Sequence, residues 1–150
     1  MSRGFPVGEY RRRLARAQAR MGEEGLGALL LTTEPELRYF TGFLTRFWES
    51  PSRPWFLIVP VSGDPVAVIP SIGAALMGAT WIGDIRTWAA PDPEDDGGSL
   101  LVEALQEAGG PVGVPSGPES HLRMPLADFG RVKRASGLEF TDDRGIVAGC

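Results

Sequence analysis

"ALLLTTEPELRYFTGF", residues 28–43, changes character along its length. "ALLLT" is a short apolar run of strand length, and "EPELRYF" reads as a helical turn with Pro35 near its first position, where a missing N–H breaks no helical bond. A strand and a helical turn therefore stand back to back, and the rest of the chain is read outward from that pair.

Upstream, Tyr10, Leu14, Ala17 and Met21 recur at helical spacing while the arginines occupy other faces, the pattern of an amphipathic helix. The cluster Arg11-Arg12-Arg13 is read as its solvated face rather than as a nucleic-acid or membrane patch. Gly25 or Gly27 ends the helix, since glycine takes the left-handed conformation that closes one. Downstream, "WFLIVP" and "PVAVIP" flank "VSGD", so residues 55–70 read as a hairpin with Pro60 and Pro65 at the strand ends. "SIGAALMG" (71–78) is a short helix and "WIGDIRTW" (81–88) a strand in which Ile82 and Ile85 break strict alternation. "APDPEDDGG" (90–98) is the clearest loop. Ser99 caps a helix through Ala108, with Leu101, Ala104, Leu105 and Ala108 on one face. "PVGVP" is a short strand, "GPESHLRMPLADFG" (117–130) a loop and a helix broken at Pro125, and "LEF" a last short strand. Short strands alternating with helices, plus one hairpin, predict an α/β domain of three layers, a mixed β-sheet flanked by helices, over residues 1–150.

Composition agrees with one globular domain, because 150 residues of which 43% are hydrophobic suffice for a core. A net charge of -4 argues against binding a phosphate backbone, so no nucleic-acid partner is expected. Cys150 is the only cysteine, which rules out an internal disulfide and a cysteine zinc site. No apolar run approaches the roughly 18 residues of a spanning helix, and "MSRGFPVGEYRRR" lacks the apolar middle of a signal peptide. The expectation is a cytoplasmic protein with no membrane partner.

Motifs for catalysis are lacking. His121 has neither a cysteine near it nor a second histidine in the chain, and Glu94, Asp95 and Asp96 read as a solvated loop rather than a calcium loop. Neither the P-loop pattern nor G-x-G-x-x-G occurs, and Ser71 and Ser116 lack the glycines of a nucleophile elbow. One concentration of unusual chemistry is left, "YFTGFLTRFWESPSRPWF" at residues 39–56. Phe40, Phe43 and Trp55 read as core. Arg46, Phe47, Trp48, Glu49, Pro51 and Arg53 are another matter, because arginine beside tryptophan in a proline-stiffened segment is the makeup of a binding hot spot. Binding surface and local packing both remain open for them.

The order of these features, "EY" at Glu9 through "ALLLTTEPELRYFTGF", then an arginine- and aromatic-bearing loop, a hairpin and a late "VGV", resembles the N-terminal domain of the creatinase and prolidase family. The matching residues run from Glu9 to about Val147, and the most specific is the Tyr-x-Thr-Gly signature at Tyr39–Gly42. The resemblance implies a parent hydrolase of Xaa-Pro dipeptidase type. Its C-terminal catalytic domain would hold two divalent metal ions (Mn, Co or Zn) through two aspartates, a histidine and two glutamates. This sequence contains none of that ligand set and stops at "DDRGIVAGC", about where a linking helix is expected, so it reads as one domain of a longer polypeptide, with no cofactor and no catalysis of its own. The implied partners are that catalytic domain and a second subunit, to whose pocket the domain lends residues. By position Arg53 resembles the arginine that creatinase offers its substrate's carboxylate, with Phe47 or Trp48 as the neighbouring aromatic. His121 is a further candidate for the same pocket, set against a plain surface or packing role. A creatinase-like amidinohydrolase, a lyase acting on a small zwitterion and a free-standing interaction module are the alternatives.

Overall fold

The computed structural model describes residues 7–41, 56–70, 77–78, 80–88, 98–114, 126–143 and 146. Its elements are α1 (Val7–Glu24), β1 (Ala28–Leu31), α2 (Glu34–Thr41), β2 (Phe56–Pro60), β3 (Val66–Pro70), β4 (Asp84–Trp88), α3 (Gly98–Ala108), β5 (Val112–Val114), α4 (Leu126–Ser136) and β6 (Phe140–Asp142).

Strand alternation explains the layers. In β1, Leu29 and Leu31 face one side and Ala28 and Leu30 the other, and all four are buried. The first side joins Leu57, Val59, Ala67 and Ile69 of the hairpin and is covered by Leu14, Ala17 and Met21 of α1 and Leu37 and Phe40 of α2. The second side joins Phe56, Ile58, Val68 and Val112 and is covered by Leu101, Ala104 and Leu105 of α3 and Val132 of α4. A strand apolar on both faces must lie between two helical layers, so the chain is the expected three-layer α/β domain.

Strand order is β4-β3-β2-β1-β5-β6. The hairpin pairs antiparallel within itself and with β1, while β5 and β6 extend the sheet in parallel on the other side and β4 joins β3 in parallel. The sheet is therefore mixed, as the sequence predicts.

Local chemistry sets the ends of the elements. Helix α1 stops in a Schellman motif: Leu26 N–H donates to Met21 O at 2.9 Å and Gly25 N–H to Gly22 O at 3.4 Å, with Gly25 at φ 76°. Gly25, rather than Gly27, is the terminator. Gly27 has a separate job, since a Cβ there would lie 2.6 Å from Gly109 O and 2.7 Å from Gly110 O. Gln18 ties α1 to the hairpin turn, with Nε2 donating to Pro60 O at 2.9 Å and to Gly63 O at 2.8 Å. On edge strand β4, Arg86 forks onto both carboxylate oxygens of Glu107 in α3 at 2.8 Å each and also holds Asp84.

Two expectations need correction. Arg13 is not solvated: it is 9% exposed, whereas Arg11 and Arg12 are exposed as read. Helix α4 runs without interruption from Leu126 to Ser136, while Pro125 and the loop and helix read before it lie outside the described residues. The strand read over 81–88 begins only at Asp84, and Ile82 is buried in the preceding turn, which is why alternation failed there. Met77 and Gly78 are helical; the rest of the helix read over 71–78, Phe43, Trp55 and most of the acidic loop lie outside the described residues.

Candidate functional site

Of the six strands described, five run in one direction and β2 alone runs against them. The carboxyl ends of β1, β3, β4, β5 and β6 and the amino end of β2 consequently share one edge of the sheet. In open α/β sheets ligands bind outside this edge, because loops there are free to carry chemistry that the strands hold in place. The segment 42–55 enters the sheet at this edge through Phe56, and the segment 115–125 leaves it from Val114. Their anchoring strands β2 and β5 are the two neighbours of β1. Arg53, Trp48 and Phe47 belong to the first segment and His121 to the second. All four lie outside the described residues, so the structure gives the anchors of their segments and not the positions of their side chains.

At the same edge α2 starts with a capping box. Glu36 Oε1 accepts from Thr33 N–H at 3.4 Å, the reciprocal bond expected of Thr-x-x-Glu at a helix start. Burial pushes the Glu36 carboxyl above its ordinary value, and the nearby charge of Asp143 adds to this, against hydrogen bonds from Thr33 and Thr32. Asp143 is 3% exposed, and its backbone bridges to Val114 O at 3.1 Å. The Thr33–Glu36 spacing was a readable signal that the sequence analysis missed.

The far end of α2, where the segment 42–55 begins, is built from arginines and rings. The Arg13 guanidinium lies 4.3 Å from the Tyr39 ring centroid and 5.2 Å from that of Tyr10. Its Nη1 donates to Tyr39 O at 2.7 Å and its Nε to Glu9 Oε2 at 3.1 Å. Arg16 Nη2 donates to the Tyr39 hydroxyl at 3.3 Å. Trp81 Nε1 donates to Phe40 O at 2.8 Å, and the Arg11 guanidinium stands 5.0 Å from the Trp81 ring. Phe40 itself is fully buried, as read. Nothing in the local sequence announces the parts of Arg13 and Trp81, whose partners are 26 and 41 residues away.

Among the described residues no group of three or more His, Cys, Asp or Glu side chains could hold a metal ion, and no helix is long and apolar enough to cross a membrane. The described residues therefore do not fit a metal centre.

Among the described residues, a six-stranded mixed sheet between two helical layers defines a class of α/β domain. Residues 13–149 match the family model of the Creatinase/Prolidase N-terminal domain, and the chain belongs to that family. It is 31% identical over 130 residues to the probable dipeptidase PepE of Mycobacterium tuberculosis, an alignment covering 85% of this chain and 33% of PepE. The crystal structure of dipeptidase PepE from Mycobacterium ulcerans is similar at TM-score 0.71 and 25% identity, over 97% of this chain and 37% of that one. A Creatinase/Prolidase N-terminal domain of an X-Pro dipeptidase from Streptococcus pyogenes shares the fold at TM-score 0.73 and 14% identity, over 93% of this chain and 98% of that one. The chain thus spans about a third of the length of the curated relatives it matches.

Proposed function

We propose that this chain is the non-catalytic N-terminal domain of a Xaa-Pro dipeptidase-like metallohydrolase, that it takes part in subunit pairing, and that it lends residues of the segment 39–56 to the partner subunit's substrate pocket. The observation that carries the reading is the 31% identity to a probable dipeptidase of which the alignment covers 33%. The topology supports it, since the segments bearing Arg53 and His121 are anchored on either side of β1 at the edge where α/β sheets take ligands. In the rest of the polypeptide a pair of divalent ions would supply the activated water.

Within this domain the chemistry is recognition. A guanidinium fork at Arg53 suits a substrate carboxylate, and the flat ring of Phe47 or Trp48 suits a proline ring. The test is kinetic, on the full-length polypeptide with a Xaa-Pro dipeptide. Arg53→Lys keeps the charge but loses the planar two-point contact. It should lower kcat/KM by roughly ten- to a hundredfold, the equivalent of about 1.5 to 3 kcal/mol for a charge-assisted bond, with Tm nearly unchanged. Wild-type kinetics in a folded Arg53→Ala enzyme would remove this residue from the pocket, and absence of dipeptide turnover by the wild type would overturn the substrate class.

A further inference from the structure

Helix α1 turns Tyr10, Leu14, Ala17 and Met21 into the protein and presents its opposite face to solvent. On that face Arg12, Arg16, Ala19 and Glu23 are all exposed and recur at spacings of four, three and four, the seam along which two helices pack side by side. Charge is segregated along it. The first ten residues of α1 hold four arginines against Glu9 alone, and the last eight hold Glu23 and Glu24 against Arg20 alone.

This order opposes the helix dipole, which favours acidic groups at the amino end and basic groups at the carboxyl end, and α1 has no basic residue in its last turn. Helix stability therefore does not account for the pattern. Glu9 is shared among Arg12 at 3.0 Å, Arg13 at 3.1 Å and Arg16 at 3.9 Å, yet Arg12 and Arg16 keep 66% and 51% of their side-chain surface in solvent, where a second molecule can reach them. The chain itself supplies the complement. Turned about a two-fold axis through the middle of the seam, this face is its own partner: Arg12 of one copy stands opposite Glu23 of the other, and Arg16 opposite Ala19, whose small side chain leaves room for the arginine stem. A uniformly acidic surface would suit the arginines but set like charge against Glu23 and Glu24. A second copy suits both ends.

We propose that the exposed face of α1 is a docking surface for a second copy of this chain, with the two helices antiparallel. The inference deepens the subunit pairing proposed above and rests on that reading. Charges of this kind set orientation and register more than affinity, and they are screened by salt.

Sedimentation velocity of the full-length polypeptide over a concentration series tests it, with two charge reversals, Arg12→Glu/Arg16→Glu and Glu23→Arg/Glu24→Arg. Both reversals agree with the helix dipole better than the native order does, so helix content by circular dichroism should be kept. Each variant alone should pair about tenfold more weakly than the wild type, since like charges then meet at both ends of the seam. An equimolar mixture of the two should recover wild-type affinity, because opposite charges face each other again in the mixed pair. Raising salt from about 0.05 to 0.5 M should weaken wild-type pairing and strengthen that of each variant. The single reversals Arg12→Glu and Glu23→Arg carry the same comparison, with a smaller effect, if a double variant loses helix content.

If the wild type and both variants pair equally well, this face is removed from the interface and subunit pairing stands. Variants that pair weakly and are not restored by mixing also overturn the antiparallel contact, because the reversed charges would then face something other than α1. A wild type that stays monomeric throughout overturns both this inference and the subunit pairing.

Discussion

Glu36 links one proton to the stability of the whole domain. Its folded pKa lies above the ordinary 4.5, first because of burial and then because of Asp143. The folded state therefore binds this proton more tightly than the unfolded chain does. Charged Glu36 weakens the fold above its folded pKa, and that penalty is relieved as pH falls through the folded value toward the unfolded one. Glu36→Gln keeps an acceptor for Thr33 N–H, as a capping box allows, and cannot ionise. The difference in Tm, variant minus wild type, should be most positive near neutral pH and shrink as pH falls toward the ordinary 4.5; a constant or widening difference would contradict the assignment. Legibility at this scale was uneven. Tyr10, Leu14, Ala17 and Met21 announced their burial by spacing alone. Arg13 did not, because its flanking arginines resemble a solvated face and the ring and carbonyl that receive it come from Tyr39, in another helix.

At the scale of elements the fold rests on β1, which pairs with β2 on one side and β5 on the other and buries both faces. Its entry is tight. Gly27 N–H donates to Pro111 O at 2.8 Å, Val61 N–H donates to Gly27 O at 2.9 Å, and the carbonyl groups of Gly109 and Gly110 occupy the space a side chain would need. Gly27→Ala should accordingly destabilise the domain by about 1–3 kcal/mol, the usual range for overpacking against rigid neighbours. Gly22→Ala, in the exposed last part of α1 with open space around its Cα, should be neutral or stabilising by up to about 1 kcal/mol. Chemical denaturation of the two variants checks the contrast, and equal behaviour would show that the approach at Gly27 is relaxed in solution. Hairpin, α1 and α3 were readable because their signals, turn glycine and helical period, are local, although α3 starts at Gly98 and so includes Ser99, which was read as its cap. The break read at Pro125 lies outside the described residues, which show α4 only as an unbroken helix from Leu126 to Ser136.

For the whole molecule, the sequence carries the family in one contiguous signature, and the match over residues 13–149 confirms it. The proposed site was legible only as residue types. Whether a guanidinium serves a pocket depends on a surface that another chain would provide, and no periodicity within this chain encodes that. Sharing between subunits is the central claim, and subunit mixing tests it most directly. One full-length variant carries Arg53→Ala with an intact catalytic domain, and a second carries native Arg53 with its catalytic domain inactivated. Each alone should be nearly inactive. If Arg53 serves the partner's pocket, equal mixing with subunit exchange assembles one complete site in every mixed dimer, and activity should rise to about a quarter of the wild type by random pairing in a two-fold dimer. A mixture no more active than the sum of its two parents would contradict the account, because each pocket would then depend on the arginine of its own chain or on none.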